Sequence, residues 1–196
     1  MRSSALFVAA LAAYFVAGCA SSVSPLYTTS DAVSDPAIVG TWLGGDNNDQ
    51  STVRIVANKN GSYDVTVHDL KSGDDSIYSA HLVNLGGKSF ADLLLTDYRR
   101  AGQSADLPFG AVALHEIVQY QLKGADLSIS AIDGDALGKA SKQSGFPLQI
   151  RETRENAGSE TNGNTIILST TGNLRRYFSA HPSDIFGKPT VLHRQP

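Results

Sequence analysis

The chain has very little cysteine: one residue, Cys19, among 196. A single cysteine excludes a disulfide within the chain and any metal site built from several thiolates. The sequence also lacks an uncharged apolar run of the roughly 20 residues that a membrane-spanning helix needs. The lone thiol directly follows an N-terminal apolar segment, and this position calls for an explanation.

The first 18 residues have the pattern of a secretory signal. Arg2 supplies one positive charge, and the twelve residues 5–16 carry none. This apolar run is too short to span a bilayer as a stable helix. We therefore predict that residues 1–18 are a signal peptide that is removed from the mature protein.

Val16-Ala17-Gly18-Cys19 resembles the lipobox of bacterial lipoproteins. In that family the cysteine receives a diacylglycerol, the preceding peptide is cut, and the new amino terminus is acylated. The resemblance implies lipidation of Cys19 and a durable membrane anchor, because several acyl chains bind a membrane more firmly than one. Ala20 follows where the retention signal of enteric bacteria is Asp, which implies the outer membrane, facing the periplasm. The alternative is a soluble secreted protein in which Cys19 is incidental.

The mature chain has no excess of positive charge. Removal of residues 1–18 leaves 15 basic and 19 acidic residues, a net charge of −4. This balance disfavours binding to nucleic acid or to a membrane surface by charge alone. Residues 19–37 are small, polar and proline-containing, which predicts a lipidated flexible tether that holds the body roughly 20–25 Å from the lipid. Residues 38–196 are enough for one β-rich domain.

From residue 38 onward, apolar and polar residues alternate with a period of two. In the clearest case, alternating residues 53–57 and 63–67 flank the turn 58–61, which predicts a β-hairpin. About nine or ten strands are predicted, at 38–44, 53–57, 63–67, 76–85, 88–96, 111–122, 126–132, 147–152, 164–169 and 186–193. Short turns between them favour an antiparallel barrel, with a β-sandwich as the alternative. Residues 99–108 and 152–164 are predicted to be loops.

Two short helices are predicted among the strands. One starts at Thr170 or Thr171, ends at His181, and has three apolar residues on one face: Leu174, Tyr177 and Phe178. Asp133 caps a second, weaker helix. Leu93–Leu95 on a strand predicts burial on both faces, one inside the barrel and one under the 170–180 helix.

Gly40 and Trp42 form a G-x-W at the start of the first predicted strand. This motif resembles the first strand of lipocalins and related calycin barrels, and implies a lipocalin-like barrel or half-barrel. In that family the Trp plugs one end and packs against a late Arg, for which Arg151, Arg154 and Arg194 are candidates. The alternative is that Trp42 is simply a core aromatic. A lipobox with a G-T-W first strand is also similar to a family of uncharacterised small bacterial lipoproteins.

No motif predicts catalysis, a cofactor or a metal. His115-Glu116 lacks the second His of a zinc motif, and neighbours on a strand point to opposite faces. No G-x-S-x-G surrounds a serine. An acid–base set would require His81 or His115 to meet a carboxylate in a pocket.

We therefore predict a non-catalytic, membrane-anchored envelope lipoprotein that binds a small apolar ligand or lipid. The alternative is a structural or protein-interaction lipoprotein without a ligand cavity. A cavity of roughly 300 Å³ or more would favour the first.

Overall fold

The structure, a computed structural model, describes residues 20–30, 33–45, 49–101, 103–104, 113–154, 163–181 and 185–196. Within these ranges the chain forms twelve β-strands and two α-helices. The strands are β1 (Ala20–Ser22), β2 (Gly40–Gly44), β3 (Ser51–Ala57), β4 (Tyr63–Asp69), β5 (Asp75–Leu85), β6 (Lys88–Arg100), β7 (Gln103–Ser104), β8 (His115–Lys123), β9 (Asp126–Ala131), β10 (Ile150–Arg154), β11 (Gly163–Ile167) and β12 (Thr190–Arg194). The helices are α1 (Gly134–Ser141) and α2 (Thr171–Ala180), and a 3₁₀ turn covers Pro36–Ile38.

Eight of these strands close into an antiparallel barrel. The order around it is β2, β3, β4, β5, β6, β8, β9 and β12, and every neighbouring pair is antiparallel. The barrel closes at β2, where Trp42 pairs with Val53 of β3 on one side and with Arg194 of β12 on the other. The prediction of a mainly β, lipocalin-like antiparallel barrel with two short helices is confirmed, and the half-barrel and sandwich alternatives are wrong.

The β3–β4 hairpin shows why this sequence forms such strands. Alternate apolar residues of both strands are buried in the barrel interior: Val53, Ile55, Val65 and Val67. The turn is closed by a hydrogen bond from the Asn58 amide N to the Ser62 carbonyl O at 2.8 Å. Gly61 adopts a φ of +84°, a conformation that glycine takes without the steric penalty of a side chain. The period of two and the turn residues therefore specify the hairpin together.

The apolar residues form two cores on opposite sides of the barrel wall. The inner core lies inside the barrel and includes Trp42, Tyr63 and Leu127. The outer core lies between the outer face of β5, β6 and β8 and a cover made of β1, α1, α2 and neighbouring segments. Its members include Leu26, Phe90, Ile117, Leu137, Leu174, Tyr177, Phe178 and Ile185.

β1 makes residues 20–30 part of the folded domain. It pairs parallel with β11 and antiparallel with β8, where Ser21 lies opposite Glu116. Leu26 is fully buried, and its amide N donates a hydrogen bond to the Asp92 carboxylate. The prediction of a flexible tether over 19–37 is therefore wrong for residues 20–30. Cys19 and the predicted signal peptide lie outside the described residues.

Both predicted helices are present. The Asp133 carboxylate caps α1 by accepting a hydrogen bond from the Ala136 amide N at 2.9 Å. α2 follows Thr170, ends before His181, and buries the three predicted residues Leu174, Tyr177 and Phe178. The capping signal of Asp133 thus located α1, and the apolar periodicity located α2, whose N-cap residue Thr170 makes no side-chain cap hydrogen bond.

The prediction for Leu93–Leu95 is correct only for the inner face. All three residues are half-buried, and Leu93 lines the barrel interior. α2 packs instead over Phe90, whose ring centroid lies 5.5 Å from that of Phe178. The predicted loops also differ in part: β6 continues to Arg100, β10 occupies 150–154, and residues 105–112 and 155–162 lie outside the described part of the chain.

Candidate functional site: the barrel interior

Trp42 and Arg194 close one end of the barrel. The Trp42 side chain is fully buried, and its Nε1 donates a hydrogen bond to the Ile38 carbonyl O at 2.9 Å. The Arg194 guanidinium carbon lies 4.1 Å from the Trp42 ring centroid, a cation–π distance. Arg194 Nη1 also donates a hydrogen bond to the Val39 carbonyl O at 2.8 Å. Arg194 therefore occupies the position that the G-x-W resemblance implied for a late arginine.

Gly40 allows this approach. Its φ is +143°, a region that residues with a side chain rarely adopt. A Cβ atom at this position would lie only 2.7 Å from Arg194 Nη1. The backbone conformation thus favours glycine at position 40, and a side chain there would also displace the Arg194 guanidinium.

The opposite end of the barrel is the one we call the mouth, bordered by Asp133, Lys188 and Thr190. β12 runs from Thr190 at the mouth to Arg194 at the closed end. Because β9 is antiparallel to β12 and β8 is antiparallel to β9, the start of β8 lies at the mouth. Glu116, the second residue of β8, is therefore on the mouth side of the interior.

An apolar cavity of about 350 Å³ occupies the barrel interior. Its wall consists mainly of aliphatic side chains, among them Val53, Ile55, Val65, Leu82, Leu93, Val118 and Leu192. Small-molecule sites in proteins commonly have volumes of about 300–1,000 Å³ and mostly apolar walls with few polar groups. In size and lining, the cavity falls at the small end of that range.

Glu116 places a carboxyl group in this apolar wall. Residues alternate along β8, so Glu116 and Val118 line the cavity, whereas Ile117 belongs to the outer core. The Glu116 Oε2 atom is buried and has no hydrogen-bond partner among the described residues. Burial raises the pKa of the Glu116 carboxyl to about 7, because low-dielectric surroundings disfavour the charged form. The carboxyl therefore changes between its neutral and charged forms near neutral pH.

Three tyrosines contribute to the cavity wall: Tyr63, Tyr78 and Tyr120. Burial is the main cause that raises the pKa of Tyr78, and the nearby charge of Glu116 raises it further. Burial likewise raises the pKa of Tyr120 to about 12. Tyr78 and Tyr120 are thus neutral at physiological pH.

A second polar cluster lies on the outer face of the barrel, next to residues 20–30. His115 Nδ1 lies 2.6 Å from Asp92 Oδ1, and the Asp92 side chain has no exposed surface. Tyr27 stacks on His81 with ring centroids 3.8 Å apart. Burial lowers the pKa of His81, because it disfavours the charged imidazolium.

His115 therefore meets a carboxylate, the contact that an acid–base set would require. The other Asp92 oxygen, however, accepts the Leu26 amide hydrogen bond. A small cavity of about 150 Å³ lies beside Tyr27 and His81, and neither Asp92 nor His115 lines it. We assign the pair a structural role, because it fastens the N-terminal segment to the barrel.

Sequence reasoning placed Gly40 and Trp42 in the first barrel strand and put His115 and Glu116 on opposite faces, as the structure has them. It missed Glu116 as a cavity residue. β8 has apolar residues on both faces, so alternation alone did not show which face points inward. The predicted lipidation site, Cys19, lies outside the described residues.

Neither protein-family models, nor curated proteins, nor solved structures match this chain. Among the described residues, no helix has the length and apolar character required to cross a membrane.

Proposed function

We propose that this protein is a non-catalytic binding module of the bacterial cell envelope, whose barrel holds a small apolar ligand or lipid. The observation that carries the proposal is the apolar cavity of about 350 Å³ inside the closed barrel. Protein interiors are normally packed with few voids larger than a water molecule. Empty volume in a core destabilises the fold in proportion to its size, so a retained cavity supports a binding role. It also favours this function over a structural lipoprotein without a ligand cavity.

The proposal includes a lipid anchor on Cys19. Its support is the lipobox-like segment Val16–Cys19, which follows a short apolar run. In the proposed arrangement the protein is held on the outer membrane, facing the periplasm, by acyl chains on that cysteine. Neither a cofactor nor a nucleic acid has a part in this function.

The cavity is tested by filling it. Ala80 lines the cavity and is 2% exposed, whereas Ser79, its neighbour on β5, points away from the interior. Binding of 1-decanol, an uncharged apolar probe, is measured by calorimetry on a chain that begins at Ala20, which contains every described element. We expect one molecule bound by the unmodified chain, binding at least tenfold weaker in Ala80→Phe, and unchanged binding in Ser79→Phe.

Circular dichroism melting of each variant verifies that the barrel is folded. Failure of the unmodified chain to bind decanol would overturn the proposal. So would equal affinities of the Ala80→Phe and unmodified chains, because the binding would then lie outside the cavity.

The anchor is tested separately in cells that express the full chain. We expect labelled palmitate to be incorporated and the protein to fractionate with membranes, and we expect Cys19→Ala to lose both. Labelling and membrane fractionation that persist in Cys19→Ala would contradict the anchor without affecting the cavity.

A further inference from the structure

Few charged groups of the described residues lie around the cavity, and one of them, Glu116, has a buried carboxylate oxygen without a hydrogen-bond partner. Asp133 borders the mouth, but its carboxylate caps α1 through the Ala136 amide N. Lys188, also at the mouth, is exposed to solvent. Glu116 lies among apolar neighbours, and the residue opposite it on β6 is Leu93. The interior therefore presents a carboxyl group whose Oε2 atom has no hydrogen-bond partner among the described residues.

A buried carboxylate without a hydrogen-bond donor is strongly unfavourable. In proteins such groups are paired with a donor or an opposite charge, or they are protonated. The hydroxyl groups of the three wall tyrosines have other partners: that of Tyr63 accepts from the Asp35 amide N at 2.8 Å, that of Tyr120 donates to Asp35 Oδ2 at 3.4 Å, and that of Tyr78 is hydrogen-bonded to the Ser76 side chain. Rotation about the last torsion of a glutamate side chain is broad and roughly two-fold, so either carboxylate oxygen can turn toward a molecule in the cavity. A ligand donor is thus the missing complement to Glu116.

Resting on the binding function proposed above, we infer that the ligand is an alkyl amine whose primary ammonium group binds the Glu116 carboxylate while its chain fills the apolar cavity. An ammonium group supplies three donors and the opposite charge, as in other charge-assisted hydrogen bonds. A ligand with a carboxylate would place a second negative charge beside Glu116. An alcohol supplies one donor and no charge.

The cavity volume limits the length of the chain. At about 30 Å³ for each water-sized group, 350 Å³ holds about ten to twelve heavy atoms. Decylamine, with ten carbons and one nitrogen, fits this limit. Probe molecules with an alkyl chain of the same length and a different head group then isolate the effect of the head group.

The experiment compares decylamine, 1-decanol and decanoate by calorimetry below their micelle concentrations, at pH 8 and at pH 5. We expect decylamine to bind the unmodified chain at least tenfold tighter than decanol at pH 8, and decanoate to bind weakest. In Glu116→Gln, we expect the preference for decylamine over decanol to be lost. Asp126→Asn is the matched control, because it removes an exposed carboxylate at the closed end and retains the preference.

The pH comparison provides a test that requires no variant. The pKa of Glu116 is about 7, and an alkyl amine, like Lys with its pKa of about 10.4, stays protonated at both pH values. Lowering the pH from 8 to 5 neutralises Glu116, so the preference for the amine should fall toward that of Glu116→Gln. Tyr78 remains neutral throughout, and the other charged groups that line the cavity are Asp133 and Lys188 at the mouth.

The outcomes separate this inference from the proposed function. Decanol binding with no tighter amine binding overturns the inference and leaves the binding function intact. An amine preference that is the same in Glu116→Gln, or the same at both pH values, also overturns it. If decanol does not bind, the proposed function is wrong, and so is the inference that rests on it.

Discussion

The inner and outer cores are built from the same kinds of side chain, but in the described part of the chain the ligand-sized space lies in the inner one. In the outer core, seven residues have no exposed surface: Leu26, Phe90, Leu137, Ile167, Leu174, Phe178 and Ile185. In the inner core, wall residues such as Val65, Val67 and Ala91 have 8–9% of their surface exposed. The outer core thus stabilises the barrel from outside. This stability offsets the cost of an interior that is not completely filled by side chains.

The largest expected effect is in the outer core. Phe178 lies on α2, and its ring contacts those of Phe90, Tyr177 and Phe186. Phe178→Ala should lower the free energy of unfolding by about 3–5 kcal/mol, since it removes a buried aromatic ring and leaves a cavity. Urea denaturation measures this change. Val191→Ala, at a position 40% exposed on β12, should change the free energy by less than about 0.5 kcal/mol. A loss under 1 kcal/mol in Phe178→Ala would show that the outer core is not tightly packed.

Glu116 makes the stability of the inner core depend on pH. Its pKa is about 7 in the folded chain against an ordinary value of 4.5, so the folded state holds the proton more tightly than the unfolded state. The stability that the folded state gains from holding this proton is fully present below pH 4.5 and is lost as the pH rises to about 7. Glu116→Gln should therefore be more stable than the unmodified chain at pH 8, by up to about 3 kcal/mol, and similar to it at pH 4.5. Urea denaturation across this range checks the sign. Equal stability of the two chains at pH 8 would mean that Glu116 is well solvated.

The buried Asp92 joins the outer face of the barrel to its N-terminal cover. Asp92→Asn weakens the contacts with the Leu26 amide and with His115, and should lower the free energy of unfolding by about 2 kcal/mol, typical of hydrogen bonds to charged groups. Hydrogen exchange at the Leu26 amide should accelerate. The matched control is Asp75→Asn, which alters a similar contact to His68 at the partly exposed surface and should cost about 0–1 kcal/mol. Equal losses in the two variants would contradict the importance of burial.

The smallest expected effect is at the closed end. Arg194→Lys keeps the charge but loses the planar group that stacks on Trp42 and donates to backbone carbonyls. We expect a loss of about 1 kcal/mol, with binding of decanol in the cavity unchanged. Thermal melting and calorimetry test the two statements. A change in decanol affinity would show that the closed end and the cavity are coupled.

The sequence predicted the parts of the fold that depend on neighbouring residues. Period-two alternation and the turn at 58–61 located β3 and β4, and the Asp133 cap located α1. β1 was missed because it is only three residues long, and its partners β8 and β11 lie about 95 and 145 residues further along the chain. Its small polar residues give no local signal of burial. The contact between Asp92 and Leu26, 66 residues apart, was hidden for the same reason.

β1 has a consequence for orientation. The Ala20 amide N donates a hydrogen bond to the Ile132 carbonyl O at 3.2 Å, and Ile132 lines the cavity near the mouth. In the proposed lipoprotein, the acylated residue directly precedes this fixed point, so no flexible linker separates the lipid anchor from the barrel. This direct connection would set which end of the barrel faces the bilayer. An amphiphile leaving the membrane would then meet the entrance without crossing open water.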